Sequence, residues 1–202
     1  MERCQVDRRR YSAGADMSVL NPRQQTESWP VDVLILRLIH IGVGAFWVGA
    51  VFTNVLFLQP TSAALGPEGG RFSYHLARHR HFSRVILVSA AITILAGIWL
   101  LWLTTNGFDP EQLFAPSRIG FTLGGLAAIL TFAVGSLYVY PRTQRVVHIM
   151  SAVLAESRGP GPAEQAELVR IRSELIRAGW VTLVGLGLAT AAMATARYWG
   201  AL

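Results

Sequence analysis

Apolar residues in this chain fall in long uninterrupted runs, unlike the strict alternation or the three-and-four spacing of half-buried elements in a water-soluble domain. Four such runs, near 31–58, 84–103, 119–140 and 175–198, are almost free of acidic side chains. Crossing a hydrocarbon layer about 30 Å thick takes about 20 apolar helical residues, and each run meets that length. In lipid every backbone amide must be satisfied within its own segment, so the runs predict helices and exclude strands. Pro30 and Pro60 bracket the first run, Asn106-Gly107 closes the second and Pro141 follows the third, where breakers mark helix ends. The pattern therefore predicts an all-α membrane protein, an up-down four-transmembrane-helix bundle over residues 31–202.

The intervening segments differ in character. Residues 1–30 are polar and carry Arg8-Arg9-Arg10, but no apolar run follows within the next twenty residues, so they read as a disordered tail and not as a secretory or twin-arginine leader. Met17 offers a second plausible start. Between the third and fourth runs, Pro162 suits a first helical turn, Glu164 and Glu167 suit the positive end of the dipole, and Leu168, Ile171 and Leu175 recur at helical spacing. An amphipathic helical connection leading into the fourth span is expected. Packing between helices in lipid relies on small residues; Gly120 and Gly124 form a GxxxG, and Ala45–Gly49 and Gly187–Ala191 are further small-xxx-small pairs.

Composition agrees with a membrane location. Of 202 residues 52% are hydrophobic and 15% charged, against about a quarter charged in ordinary soluble domains. All 18 basic residues are Arg, which removes Schiff-base and other Lys-based chemistry. The one cysteine, Cys4, lies in the polar leader, so neither a disulfide framework nor a thiolate metal site can be built. Ten Arg residues (71, 78, 80, 84, 142, 145, 158, 170, 172 and 177) fall on one side of the predicted topology, against seven on the other including five in the tail. The positive-inside rule then places connections 59–83 and 141–174 in the cytoplasm and both termini outside, with Trp29, Trp99, Trp102 and Trp199 at the outer interface. The basic balance has a membrane explanation, and the Arg residues are not interleaved with aromatics on a soluble face, so nucleic-acid binding is a poor reading.

Candidate chemistry lies mainly on the first helix. His40, Trp47 and Asn54 are spaced by seven, so they share a narrow sector of one face with Gly44 between them. An ionisable group inside a span is by default a candidate functional site, and an imidazole there can ligate iron or copper or carry protons. Arg37, one turn nearer the outer surface, can meet a carboxylate such as a haem propionate. That geometry suits haem b; a plain interhelical hydrogen bond from His40 with a snorkelling Arg37 is the alternative. Met193 of the fourth span is the candidate second ligand by depth, the other options being a five-coordinate haem or a ligand from a partner subunit. A second cluster, His75, His79 and His81, could grip a divalent ion, since residues four apart share a helix face. Arg78 and Arg80 oppose a cation there, and a basic segment binding anionic lipid is the competing reading.

These residues carry a family resemblance. The opening of the first span, Leu36-Arg37-Leu38-Ile39-His40 with Trp47-Val48-Gly49, is similar to that of the copper-resistance D-type membrane domain and of related bacterial integral membrane families. Phe82-Ser83-Arg84 leading to Ala96-Gly97, and Pro141-Arg142 after the third span, resemble the next helices of that domain. The resemblance implies four helices in the bacterial cytoplasmic membrane and copper transport or resistance, although one Cys and four Met, with only Met193 in a span, offer no ladder of soft ligands for Cu(I). A weaker resemblance to the bacterial membrane protoporphyrinogen oxidases implies haem b on the first-span histidine. Their activity uses a Lys on the third helix, and this chain has none. The expectation is thus a haem- or metal-binding membrane protein serving electron transfer or haem or metal handling. Copper transport and a non-catalytic structural subunit are the alternatives, and a redox partner subunit or a homo-oligomer are the open partnerships.

Overall fold

The computed structural model describes residues 31–201. Among them there is no strand, and four helices are long and apolar enough to cross a membrane. The first, α1, is Val31–Ala64. It is followed by a short α2, Pro67–Arg78, by α3, Phe82–Thr104, and by one turn of helix, α4, Pro110–Leu113. Helix α5 is Ile119–Ala155, and α6, Pro162–Thr195, ends in a 3₁₀ segment, Ala196–Ala201.

Two helix pairs make up the bundle, α1 with α3 and α5 with α6. In the first, Gly44 approaches Thr93 and His40 approaches Gly97, so the partners step in opposite directions. In the second, a Cβ on Gly120 would lie 2.8 Å from Ala196 Cα, and one on Gly124 would lie 2.7 Å from Met193 Cγ and 2.9 Å from the Ala189 carbonyl. The GxxxG is therefore the seam of the α5–α6 pair, as close backbone approach requires. Trp47, 5% exposed, joins the pairs: it packs with Ala90 of α3, Ala128 of α5, and Leu186 and Ala189 of α6. The other small pairs do not behave this way. Ala45, Gly49 and Ala191 are exposed, and a Cβ on Gly49 or Gly187 meets nothing within 4 Å, because the pair axes run along other faces of α1 and α6.

The prolines expected to end the first and third helices do not. A proline ring collides with the carbonyl four residues back and removes one hydrogen bond, and here both faults fall beside a widened turn. Asn54–Leu58 and Gly135–Val139 are π turns, each ending two residues before its proline, with Gln59 N–H reaching Asn54 O and Tyr140 N–H reaching Gly135 O. The helix is already displaced where the proline enters, so α1 continues six residues beyond 58 and α5 fifteen beyond 140. Beyond the predicted span, α5 and α6 stay paired through Arg142–Glu174 at 2.6 Å and Arg145–Glu167 at 2.9 Å. Helix α6 begins at Pro162, with Gly161 N–H donating to Glu164 Oε2 at 2.8 Å, and runs unbroken from the amphipathic lead-in into the apolar segment. The second predicted span, α3, stops where expected, before Asn106 and Gly107, both at positive φ. The polar tail, Trp29 and Met17 lie outside the described residues.

Candidate functional site

The imidazole of His40 faces its neighbouring helix. Its Nδ1 lies 2.8 Å from the Thr93 carbonyl oxygen, and since a carbonyl can only accept, Nδ1 carries the proton and donates. In the neutral ring that leaves the Nε2 lone pair without a partner among the described residues. Space for the ring comes from Gly97: a Cβ there would sit 2.7 Å from His40 Cε1 and 2.9 Å from Nδ1, closer than any side chain tolerates. Thr93 contributes its carbonyl and turns its hydroxyl back to Ser89 O at 2.8 Å, so that hydroxyl does not compete for the imidazole. The spacing that singled out His40 correctly pointed it at a partner helix. Thr93 and Gly97 were missed as its partners, because a backbone carbonyl leaves no mark in sequence. The glycine in the middle of an apolar run was the available signal.

The remaining candidates are distributed more widely than one stripe. Arg37 stands on the exposed surface of α1, one turn before His40. Met193 packs against Gly124, within the α5–α6 pair, whereas His40 belongs to the α1–α3 pair. Trp47 and Asn54 share the face of His40 but open onto different space. Both line a cleft of about 850 Å³ whose walls come from α1, α2, α3, α5 and α6, and His40 is not among its lining residues. Asn54 begins the first π turn and Gly135 the second, and both π turns border this cleft. Single π turns inside α-helices are frequent at functional sites.

The three histidines of the second cluster separate. His75, on α2, and His79, the residue that caps its C-terminal end, have ring centroids 4.8 Å apart, and Tyr74 meets His79 edge-on at 6.0 Å. His81 is beyond the helix end, in the left-handed turn (φ 52°) that redirects the chain into α3. Among the described residues no three His, Cys, Asp or Glu side chains gather as a metal-binding group.

Helix α2 is held against the end of α1 by a tight turn. Gly66 adopts φ 58° and ψ −126°, a conformation that only glycine takes at low cost. Ser62 Oγ donates to Gly69 O at 2.7 Å and lies 2.7 Å from Ser73 Oγ. A Cβ on Gly69 would fall 2.0 Å from Ser62 O, so no other residue fits there. Comparison of the chain with protein-family models, with curated proteins and with solved structures finds no match in any of the three.

Proposed function

We propose that this chain is a multi-pass protein of the bacterial cytoplasmic membrane that binds haem b through His40 Nε2 and serves membrane electron transfer or haem handling. In this reading the four long helices form an up-down bundle, with both termini outside and connections 59–83 and 141–174 in the cytoplasm. The observation on which the cofactor assignment rests is the Nδ1–H bond from His40 to the Thr93 carbonyl, which is the interhelical hydrogen bond of the alternative reading and at the same time leaves Nε2 for a ligand. Metal-ligating histidines characteristically donate their other ring N–H to a carbonyl or carboxylate, which fixes tautomer and orientation and makes the ligating nitrogen more basic. Gly97 keeps the ring in that pose, and Arg37 supplies a guanidinium one turn toward the outer end for a propionate. Bound haem would supply a one-electron centre whose potential its axial ligand and surroundings tune. The chain's own part is to fix the imidazole, exclude water around it and balance the carboxylates.

An absorbance spectrum of detergent-purified protein, produced with ample haem precursor and recorded before and after dithionite, tests the proposal. A Soret band that sharpens on reduction is expected, with loss of most of it in His40→Ala. Gly97→Leu, which retains the imidazole but crowds it, should also lose the band, while His75→Ala should keep it. A colourless wild-type protein, or a His40→Ala spectrum identical to wild type, overturns the assignment.

A further inference from the structure

The cleft bordered by the two π turns has a charge pattern that the haem reading does not use. Its upper walls are apolar, with Trp47, Ile86, Phe132 and Leu186 among them, and at the α2 end it reaches Arg71, Arg158 and Arg172. Among the described residues no Asp, Glu or His lines it. Two of the arginines are already engaged: Arg158 by Glu156 and Glu164, and Arg71 by Glu68 at 3.2 Å. Arg172, on α6, has no carboxylate within 4 Å among the described residues. Deeper along the same wall, Gln59 packs on Gly179, and the Gln59 and Asn54 carboxamides make no side-chain hydrogen bond among the described residues. Gly179 is seven residues beyond Arg172, about 10 Å along the helix.

A cation at the mouth, uncommitted amide donors part-way in and an apolar chamber beyond them match one chemical class. We infer that the cleft binds a single lipid with a net-negative phosphate head, its phosphate at Arg172 and its tail between the two π turns, against Trp47. Arginine favours such a head because it offers two parallel donors to phosphate oxygens, and basic pockets between membrane helices on the cytoplasmic side recognise anionic headgroups. Helix α2 covers the site, contributing Phe72 and Leu76 to the wall, and its fixed junction at Ser62 and Gly69 holds that cover in place. Because the cleft lacks His40, the inference stands or falls independently of haem.

The test is native mass spectrometry of the full chain in mild detergent, titrated with phosphatidylglycerol or with zwitterionic phosphatidylcholine. One phosphatidylglycerol retained per chain, in preference to phosphatidylcholine, is expected. Arg172→Ala should weaken retention about tenfold or more, the usual consequence of losing a charge-assisted bond to an ion. Gly135→Leu should do the same by a different route: a Cβ there meets nothing within 4 Å, so the helix tolerates the residue while the side chain occupies the chamber. Arg170→Ala, a cation outside the cleft, should leave retention unchanged. Arg172-dependent capture of a polyprenyl monophosphate in preference to phosphatidylglycerol would support the site and name the isoprenoid source. Equal retention of both headgroups, or retention indifferent to both Arg172→Ala and Gly135→Leu, overturns the inference.

Discussion

Single side chains in this protein act mainly through backbone groups. His40 is held by a carbonyl and a missing side chain, which explains why its direction could be anticipated from spacing while its partners could not. Glu164 is a second example, outside the predicted spans. Arg158 donates to both its carboxylate oxygens and Gly161 N–H adds a third bond, and these hold the Glu164 carboxyl down to about 2 from its usual 4.5. A depressed carboxylate contributes to stability above its unfolded value and loses that contribution as pH falls toward the folded value. The turn before α6 should therefore stay closed down to about pH 4.5 and open between there and about pH 2. Carboxyl-carbon NMR of labelled glutamate follows this directly. In Arg158→Ala the Glu164 midpoint should move back toward the ordinary carboxylate range, and an unmoved midpoint would assign the depression to the helix terminus alone.

At the scale of elements, helix existence was plain from run length and the lack of charge, but helix ends were not. Pro60 and Pro141 read as terminators because a proline in a regular α-helix is one. No residue pattern announces that the preceding turn has widened to accept it. The small-residue motifs were legible as packing devices, yet of the three named only Gly120-x-x-x-Gly124 acts as one among the described residues, since sequence does not say which face meets a partner. This yields a graded expectation. Gly120→Ala places a Cβ 2.8 Å from Ala196 Cα and 2.9 Å from the Ala192 carbonyl, backbone atoms that cannot rotate aside. Overpacking of this kind typically costs about 1–3 kcal/mol, and the thermal unfolding midpoint of the detergent-solubilised protein should fall accordingly. Gly125→Ala, one residue along with nothing within 4 Å of the new methyl, should leave that midpoint unchanged. Equal losses at both positions would mean that helix propensity, and not the α5–α6 seam, governs this segment.

The whole molecule is asymmetric in charge, and the asymmetry coincides with its architecture. At one end α5 and α6 extend past their apolar segments, tied by Arg142–Glu174 and Arg145–Glu167, with α2 folded across the end of α1. At the other, Arg118 is drawn inward to the Thr104 carbonyl and to Gln112 Oε1 at 2.8 Å, and Trp99 and Trp102 stand at the end of α3. Ion pairs and an amphipathic helix belong in water and headgroups, and this Arg-rich end is the one the proposed orientation puts in the cytoplasm. The Trp residues do not discriminate between the ends as cleanly as the arginines, because Trp180, 51% exposed, lies on α6 toward the Arg-rich end. Cysteine accessibility in intact cells separates the two orientations. In a Cys4→Ser background, Asn106→Cys should react with a membrane-impermeant maleimide from outside, whereas Ser157→Cys should react only after the membrane is opened. The reverse pattern would invert the molecule, placing Arg37 and the outer end of the His40 helix in the cytoplasm and the Arg172 cleft on the outer face. Any lipid in that cleft would then have to come from the outer leaflet, and the head-group preference would no longer follow from the anionic cytoplasmic surface.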